Sequence, residues 1–173
     1  AIRLRNFPEG AAMHSRLVGL TKDNAAAARL TRLLAMELAL AGDDAPRALS
    51  LVSDGAAGAT RPEVMLAAQA LTRSGQPAQA AQRLQMWLAD HPRDAHVWQL
   101  LAPAYAAQGL MLRAIRAEAE ARAAQHDFDG AMDRFKAAQE LARRGTSDHI
   151  EASIIDTRAR EVALLLREQA VER

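Results

Sequence analysis

The sequence contains no cysteine, few aromatic residues (3%) and only two lysines, Lys22 and Lys136. Without cysteine the chain has no disulfides, no thiolate metal ligands and no thiol nucleophile. The formal net charge is +1, whereas a nucleic-acid-binding surface normally shows as a strong basic excess, often with interleaved aromatic residues. These absences exclude a disulfide-stabilised protein and argue against nucleic acid as a partner.

Long apolar runs are also missing. No stretch approaches the ~20 consecutive apolar residues that a membrane-spanning helix requires, so we expect no membrane span. A basic start followed by an apolar signal segment is missing too. The sequence begins at Ala1 rather than methionine, which predicts a segment of a longer polypeptide with any export signal upstream.

Helix-forming residues are abundant instead. Ala, Leu, Arg, Gln and Glu dominate the sequence, and these side chains lose little freedom in a helix. Asp148 followed by Glu151 has the spacing of a capping box at the start of the last helix. Apolar residues recur at helical spacing between Pro and Gly breaks, which predicts an all-α chain with helices near 9–20, 23–41, 45–53, 62–74, 77–90, 95–108, 111–125, 128–143 and 148–170.

A repeated spacing connects the central helices. Gly75 and Gly109 are 34 residues apart, as are Ala80 and Ala114. Glycine permits a tight turn, and alanine lets the next helix approach closely. A 34-residue period with this Trp–Leu–Ala–Tyr order is typical of tetratricopeptide (TPR) repeats. The order is carried by "HVWQLLAPAYAAQG", which supplies Trp98, Leu101, Ala102 and Tyr105.

Two further matches to the repeat are less regular. In "HDFDGAMDRFKAAQE", His126 stands where the turn glycine belongs, and helix 111–125 would serve two successive pairs. In "LLAMELALAGDDAPRAL", Gly42 and Ala48 are one residue too far apart. We predict a TPR-like helical-hairpin solenoid with a long C-terminal capping helix, although a plain helical bundle is an alternative. The predicted divisions are a helical segment with a degenerate hairpin over 1–60, repeats over 61–145 (spans 61–94, 95–125 and the overlapping 112–145), and the capping helix over 146–173.

Most of the chain also resembles a known protein family. The stretch "RPEVMLAAQALTRSGQPAQAAQRLQMWLADHPRDAHVWQLLAPAYAAQG" is similar to the carboxy-terminal TPR repeats of periplasmic zinc metalloproteases of the β-barrel assembly-enhancing type. The segment "RAEAEARAAQHDFDGAMDRFKAAQELA" resembles the next part of those repeats, and "EASIIDTRAREVALLLREQ" resembles their closing arginine-rich helix.

The resemblance implies a non-catalytic docking domain in the periplasm. It implies an HExxH protease domain upstream, which would hold zinc, and outer-membrane protein quality control as the setting. Clients, unfolded polypeptide, the β-barrel assembly machinery and the chain's own protease domain would be the partners. A free-standing TPR scaffold or chaperone cofactor that binds extended peptides is the alternative.

The repeat register also predicts where a partner would bind. First helices of successive TPR units line the concave groove, and arginine forks onto carboxylates or carbonyls while methionine adapts to varied apolar side chains. The looser upstream unit would add Arg29, Arg32 and Met36. Projection of the central and offset units gives the predicted groove residues Met65, Gln69, Arg73, His96, Gln99, Arg113, Arg116 and Glu120.

Catalytic motifs are not recognisable in the sequence. A zincin site needs two histidines four residues apart with a glutamate between them, and none of the five histidines has that spacing. We therefore expect no enzyme activity, no metal site and no cofactor in this chain. Trp98 and Tyr105 are interpreted as packing residues of the repeat core.

Overall fold

The computed structural model describes residues 6–52, 59–145 and 148–171. Those residues form helices and connecting turns and contain no strand, so the predicted all-α class is confirmed. Their helices are α1 (Phe7–Thr21), α2 (Ala25–Ala41), α3 (Ala45–Ser50), α4 (Arg61–Arg73), α5 (Pro77–Asp90), α6 (Ala95–Ala106), α7 (Met111–Ala124), α8 (Phe128–Arg143) and α9 (His149–Val171).

Every predicted helix is present, and every end but one lies within two residues of its predicted position. The third helix differs most, because it ends at Ser50 whereas the prediction carried it to residue 53, which lies outside the described residues. Within the described ranges, no helix is both long enough and apolar enough to cross a bilayer.

Helix contacts divide the chain into two compact units, residues 1–83 and 84–173, with the division inside α5. The divisions predicted from the repeat register, after residues 60 and 145, fall between helices instead. Helices that follow one another in sequence pack together from α1 to α4 in the first unit and from α6 to α9 in the second, as in a helical-hairpin solenoid.

The first unit has a small aliphatic core. Helix α2 packs against α1, α3 and α4. The core is built mainly from successive turns of α2, with one residue from α3 and two from α4. Its buried members are Leu33, Met36, Ala39, Leu40, Ala48, Leu66 and Ala70.

The second unit is organised around α7, which packs against α6, α8 and α9. Phe135, Ile155 and Val162 are fully buried between α7, α8 and α9. The predicted capping helix α9 therefore contributes its apolar side to this core, while Ile154 and Leu165 on its flanks remain exposed. Tyr105 of α6 is buried, and its hydroxyl accepts a hydrogen bond of 2.6 Å from Nε2 of Gln85.

The same backbone turn ends four of the helices. One residue takes a positive φ of 60–75°, and the N–H of the next residue bonds to the carbonyl five positions back at 2.8–3.0 Å. This pairing is the long bond of the Schellman helix end. An alanine that is at most 3% exposed always follows five residues after the positive-φ residue. The pairs of turn residue and alanine are Asp43 with Ala48, Gly75 with Ala80, Gly109 with Ala114, and His126 with Ala131.

This turn corrects the reading of the upstream match. Gly42 was taken as the turn glycine and stood one residue too far from Ala48, but its φ is −86° and it serves as the C-cap of α2. Asp43 adopts the left-handed conformation instead, at a φ of 60°. Aspartate tolerates that region better than most residues, so the five-residue spacing is preserved without glycine.

We expect Gly75→Ala and Gly19→Ala to have opposite effects on the free energy of unfolding. A Cβ at either position would meet no atom within 4 Å, but only Gly75 has a positive φ, of 75°. Alanine at Gly75 should destabilise the chain by about 1–2 kcal/mol. Alanine at Gly19, inside α1, should stabilise it by about 0.5–1 kcal/mol. Urea unfolding of both variants measures the difference, and equal effects would contradict the role of the turn.

Candidate polypeptide-binding surface

The predicted groove residues lie on three helices, and in the second unit Gln99 lines a cleft that Arg113, Arg116 and Glu120 do not reach. In the first unit they are on α4, and in the second they are on α6 and α7. On α4, Met65 and Gln69 are half-buried and Arg73 is exposed. On α6, His96 and Gln99 are exposed. On α7, Arg113 and Arg116 are half-buried and Glu120 is buried.

Arg73 binds the end of the neighbouring α2 helix. Its Nη1 donates a 2.7 Å hydrogen bond to the carbonyl oxygen of Leu40 and lies 3.9 Å from the carboxylate of Asp43. A cation near helix C-terminal carbonyls is favourable. The guanidinium of Arg73 therefore already has partners within the chain.

The upstream arginines are also paired. Arg29 and Arg32 both donate to the carboxylate of Glu63. The pKa of that carboxyl is lowered to about 2, well below its usual range. The hydrogen bond from Arg29 is the main cause, and Glu63 also accepts from the N–H of Thr60 at 2.8 Å. The placement of Met36 in the groove was wrong, because Met36 is 2% exposed and belongs to the core.

On α7, Arg113 and Arg116 face carboxylates at the start of α9. Nε and Nη2 of Arg113 donate to Asp148 at 2.9 and 2.8 Å, which lowers the pKa of the Asp148 carboxyl and raises that of the Arg113 guanidinium. Arg116 donates to the Glu151 carboxylate, which is only 5% exposed. The Arg116 guanidinium also lies 5.5 Å from the ring centroid of half-buried Trp98.

Asp148 has the predicted N-cap role for α9. One of its carboxylate oxygens accepts a 3.2 Å hydrogen bond from the N–H of Glu151. The Glu151 side chain, predicted as the second half of a capping box, pairs with Arg116. The start of α9 is thus tied both to its own backbone and to α7.

Glu120 is buried at 6% exposure and is neutralised by α9. Nε and Nη2 of Arg158 each donate to one oxygen of Glu120 at 2.8 Å, the two-pronged geometry that makes such pairs strong. This contact is the main reason that the pKa of Arg158 is raised. Glu120 therefore serves as an internal partner of α9, and its predicted contact with a ligand stays a prediction.

Three of these ion pairs join residues about one repeat period apart. Arg29 and Glu63 are 34 residues apart, and Arg113–Asp148 and Arg116–Glu151 are each 35 apart. On α7 and α9 the contacts advance together along both helices, from Arg113–Asp148 to Glu120–Arg158, so α7 runs parallel to α9. The contacts Arg29–Glu63 and Leu40–Arg73 show the same for α2 and α4, as for equivalent helices of successive hairpins. These pairs were not predicted from the sequence, although opposite charges one repeat period apart are a signal for them.

The second unit also has an open cleft of about 610 Å³ between α6 and α7, which we call the α6–α7 cleft. Of the predicted groove residues, it is lined by Gln99 alone. Ala102, Ala106 and Ala121 form its apolar part. Its remaining lining is polar or cyclic: Gln99, Pro103, Glu118, Arg122 and Gln125.

The charges at the α6–α7 cleft are paired within the chain. Glu118 accepts a 3.4 Å hydrogen bond from Arg134, and Arg122 donates at 3.0 Å to Asp127. The uncharged groups that remain are the amides of Gln99 and Gln125, which both donate and accept hydrogen bonds. This surface therefore suits a polar but uncharged ligand.

The surface has two other depressions among the described residues. One, of about 470 Å³, has the Glu120–Arg158 pair in its wall, so its central charges are already matched. The other, of about 210 Å³ in the first unit, lies between α1 and α2. In the part of the chain that the structure describes, no three His, Asp or Glu side chains are grouped as metal ligands.

The contacts of Arg116 predict a stability effect. Arg116→Met keeps an unbranched aliphatic side chain but leaves the buried Glu151 carboxylate without its closest partner. Loss of a charged hydrogen bond to a buried group should lower the free energy of unfolding by about 2 kcal/mol. Chemical denaturation of the variant measures this change.

The matched control is Arg134→Met. Arg134 and Glu118 are both close to half exposed, and an exposed pair contributes at most about 1 kcal/mol. Similar losses for Arg116→Met and Arg134→Met would show that the Arg116–Glu151 contact does not stabilise α9.

Two comparisons with known proteins were without a match. Among the models of protein families none matches this chain, and among the curated proteins none does. The geometry of the α6–α7 cleft and of the ion pairs thus supplies the basis for a functional proposal.

Proposed function

We propose that this chain is a TPR-like protein-interaction domain whose α6–α7 cleft binds a segment of another polypeptide. The observation that carries the proposal is the contrast between two surfaces. Arg113 and Arg116 of α7 are paired with carboxylates at the start of α9. The α6–α7 cleft instead has no unpaired charge, and it presents the amides of Gln99 and Gln125 beside alanine side chains. Helical-hairpin arrays commonly use such open surfaces to bind proteins.

The nature of the partner is proposed from the sequence resemblance. Similarity of residues 61–169 to the repeats of periplasmic zinc metalloproteases supports a role as the docking part of such an enzyme. The domain would present clients or engage the β-barrel assembly machinery, and the zinc and the catalysis would belong to the protease part. This role requires an HExxH motif in the native polypeptide that contains this chain. A native polypeptide without that motif would overturn the proposed link to a protease.

Site-specific crosslinking in the native host tests the binding surface. A photoreactive residue at Gln99 should give protein adducts in several-fold higher yield than the same residue at Asp133. Gln99 lines the α6–α7 cleft, whereas Asp133 is exposed on α8 in the same unit. Mass spectrometry then identifies the attached proteins.

Both positions are exposed and lie in the same folded unit, so Asp133 controls for adducts that any exposed site of this unit would form. Equal adduct yields at both positions would overturn the cleft as the binding surface. Adducts confined to proteins unrelated to outer-membrane assembly or its clients would overturn the proposed partner while leaving the surface in place.

A further inference from the structure

Helix α6 carries a proline in its interior, at Pro103. Proline has no N–H, so it cannot donate the helical hydrogen bond to the carbonyl four residues earlier, and its ring crowds that carbonyl. The carbonyl concerned belongs to Gln99. Helical bonding resumes after the proline, because the N–H of Ala107 donates to the Pro103 carbonyl at 2.9 Å.

The affected carbonyl lies at the α6–α7 cleft. Gln99 and Pro103 both line the cleft and are both exposed. The flank of α6 between them therefore faces the solvent of the cleft. A helix carbonyl without its helical donor is satisfied by water or by a ligand that brings an N–H group.

The surroundings of this carbonyl suit a polypeptide main chain. The wall of the cleft consists of alanines, whose small side chains allow a backbone to approach the helix closely. The charged groups at its edges, Glu118 and Arg122, are already engaged with Arg134 and Asp127. What is left for recognition is one main-chain acceptor and two side-chain amides, which complement the alternating N–H and C=O groups of an extended chain.

We propose that the α6–α7 cleft binds an extended polypeptide segment through its main chain, with the Gln99 carbonyl accepting an N–H of the bound segment. This inference rests on the proposed function and deepens it by naming the class of ligand. Because the contacts are to main-chain groups, recognition depends little on the sequence of the segment. An unfolded chain offers such groups, whereas a folded helix or sheet has already paired them.

Pro103→Ala tests the inference directly. Alanine supplies the missing N–H, so the Gln99 carbonyl becomes bonded within α6 and is no longer offered to a ligand. The probe is reduced, carboxymethylated α-lactalbumin, which is permanently unfolded, and native disulfide-bonded α-lactalbumin is the folded control. We expect the wild-type chain to bind the unfolded form alone, and Pro103→Ala to weaken that binding about two- to tenfold, the range for one hydrogen bond.

The same variant gives a second readout with the opposite sign. Removal of a proline from a helix interior restores a helical hydrogen bond, so the melting temperature should rise while affinity falls. A merely structural role of Pro103 would move affinity and stability together or leave affinity unchanged. Pro62→Ala is the matched control, because Pro62 lies in the first turn of α4, where no helical donor is lost.

The outcomes separate this inference from the proposed function. Unchanged affinity of Pro103→Ala for the unfolded probe overturns recognition through the Gln99 carbonyl. Failure of the wild-type chain to bind the probe overturns sequence-independent main-chain binding. In either case preferential crosslinking from Gln99 in the host would still support the cleft as a protein-binding surface, now through side-chain contacts, and equal crosslinking from Asp133 would overturn both.

Discussion

The close approach of one helix to the next at a buried alanine is the constraint on which each unit depends. A left-handed residue ends the first helix, the following N–H closes the Schellman bond, and an alanine five residues later lies against the neighbouring helix. The turn fixes the direction in which the chain returns, and the small side chain fixes the distance between helices. The core residues and the ion-pair partners can come into contact only when this direction and this distance are correct.

The helices and three of the four turns could be predicted because their signals are local. Glycine is the usual residue at a positive φ, so Gly75 and Gly109 indicate such turns. The order of residues from Trp98 to Tyr105 is typical of a repeat with a 34-residue period. Asp43 was missed because an adjacent glycine offered a more conventional turn residue. The turn at His126 could be predicted only from its position in the repeat, because histidine does not indicate a positive φ as glycine does.

The candidate site was less predictable, because it depends on which helices become neighbours. The spacing of Arg113 and Arg116 places them on one face of α7, but only the fold shows that Asp148 and Glu151 occupy the space in front of them. Helix α7 is the second helix of one pair and the first of the next, so its predicted groove face is covered by α9. Of the predicted groove residues, Gln99 is the one that is exposed and also lines the α6–α7 cleft.

The most direct test of the central claim compares Ala131→Leu with Ala137→Leu by urea unfolding. Both residues lie on α8; Ala131 is fully buried at the helix–helix contact, and Ala137 is exposed. We expect Ala131→Leu to lower the free energy of unfolding by about 1–3 kcal/mol through overpacking, and Ala137→Leu to change it by at most about 0.5 kcal/mol. If the two variants were equally stable, close approach at this alanine would not be what holds the hairpin together.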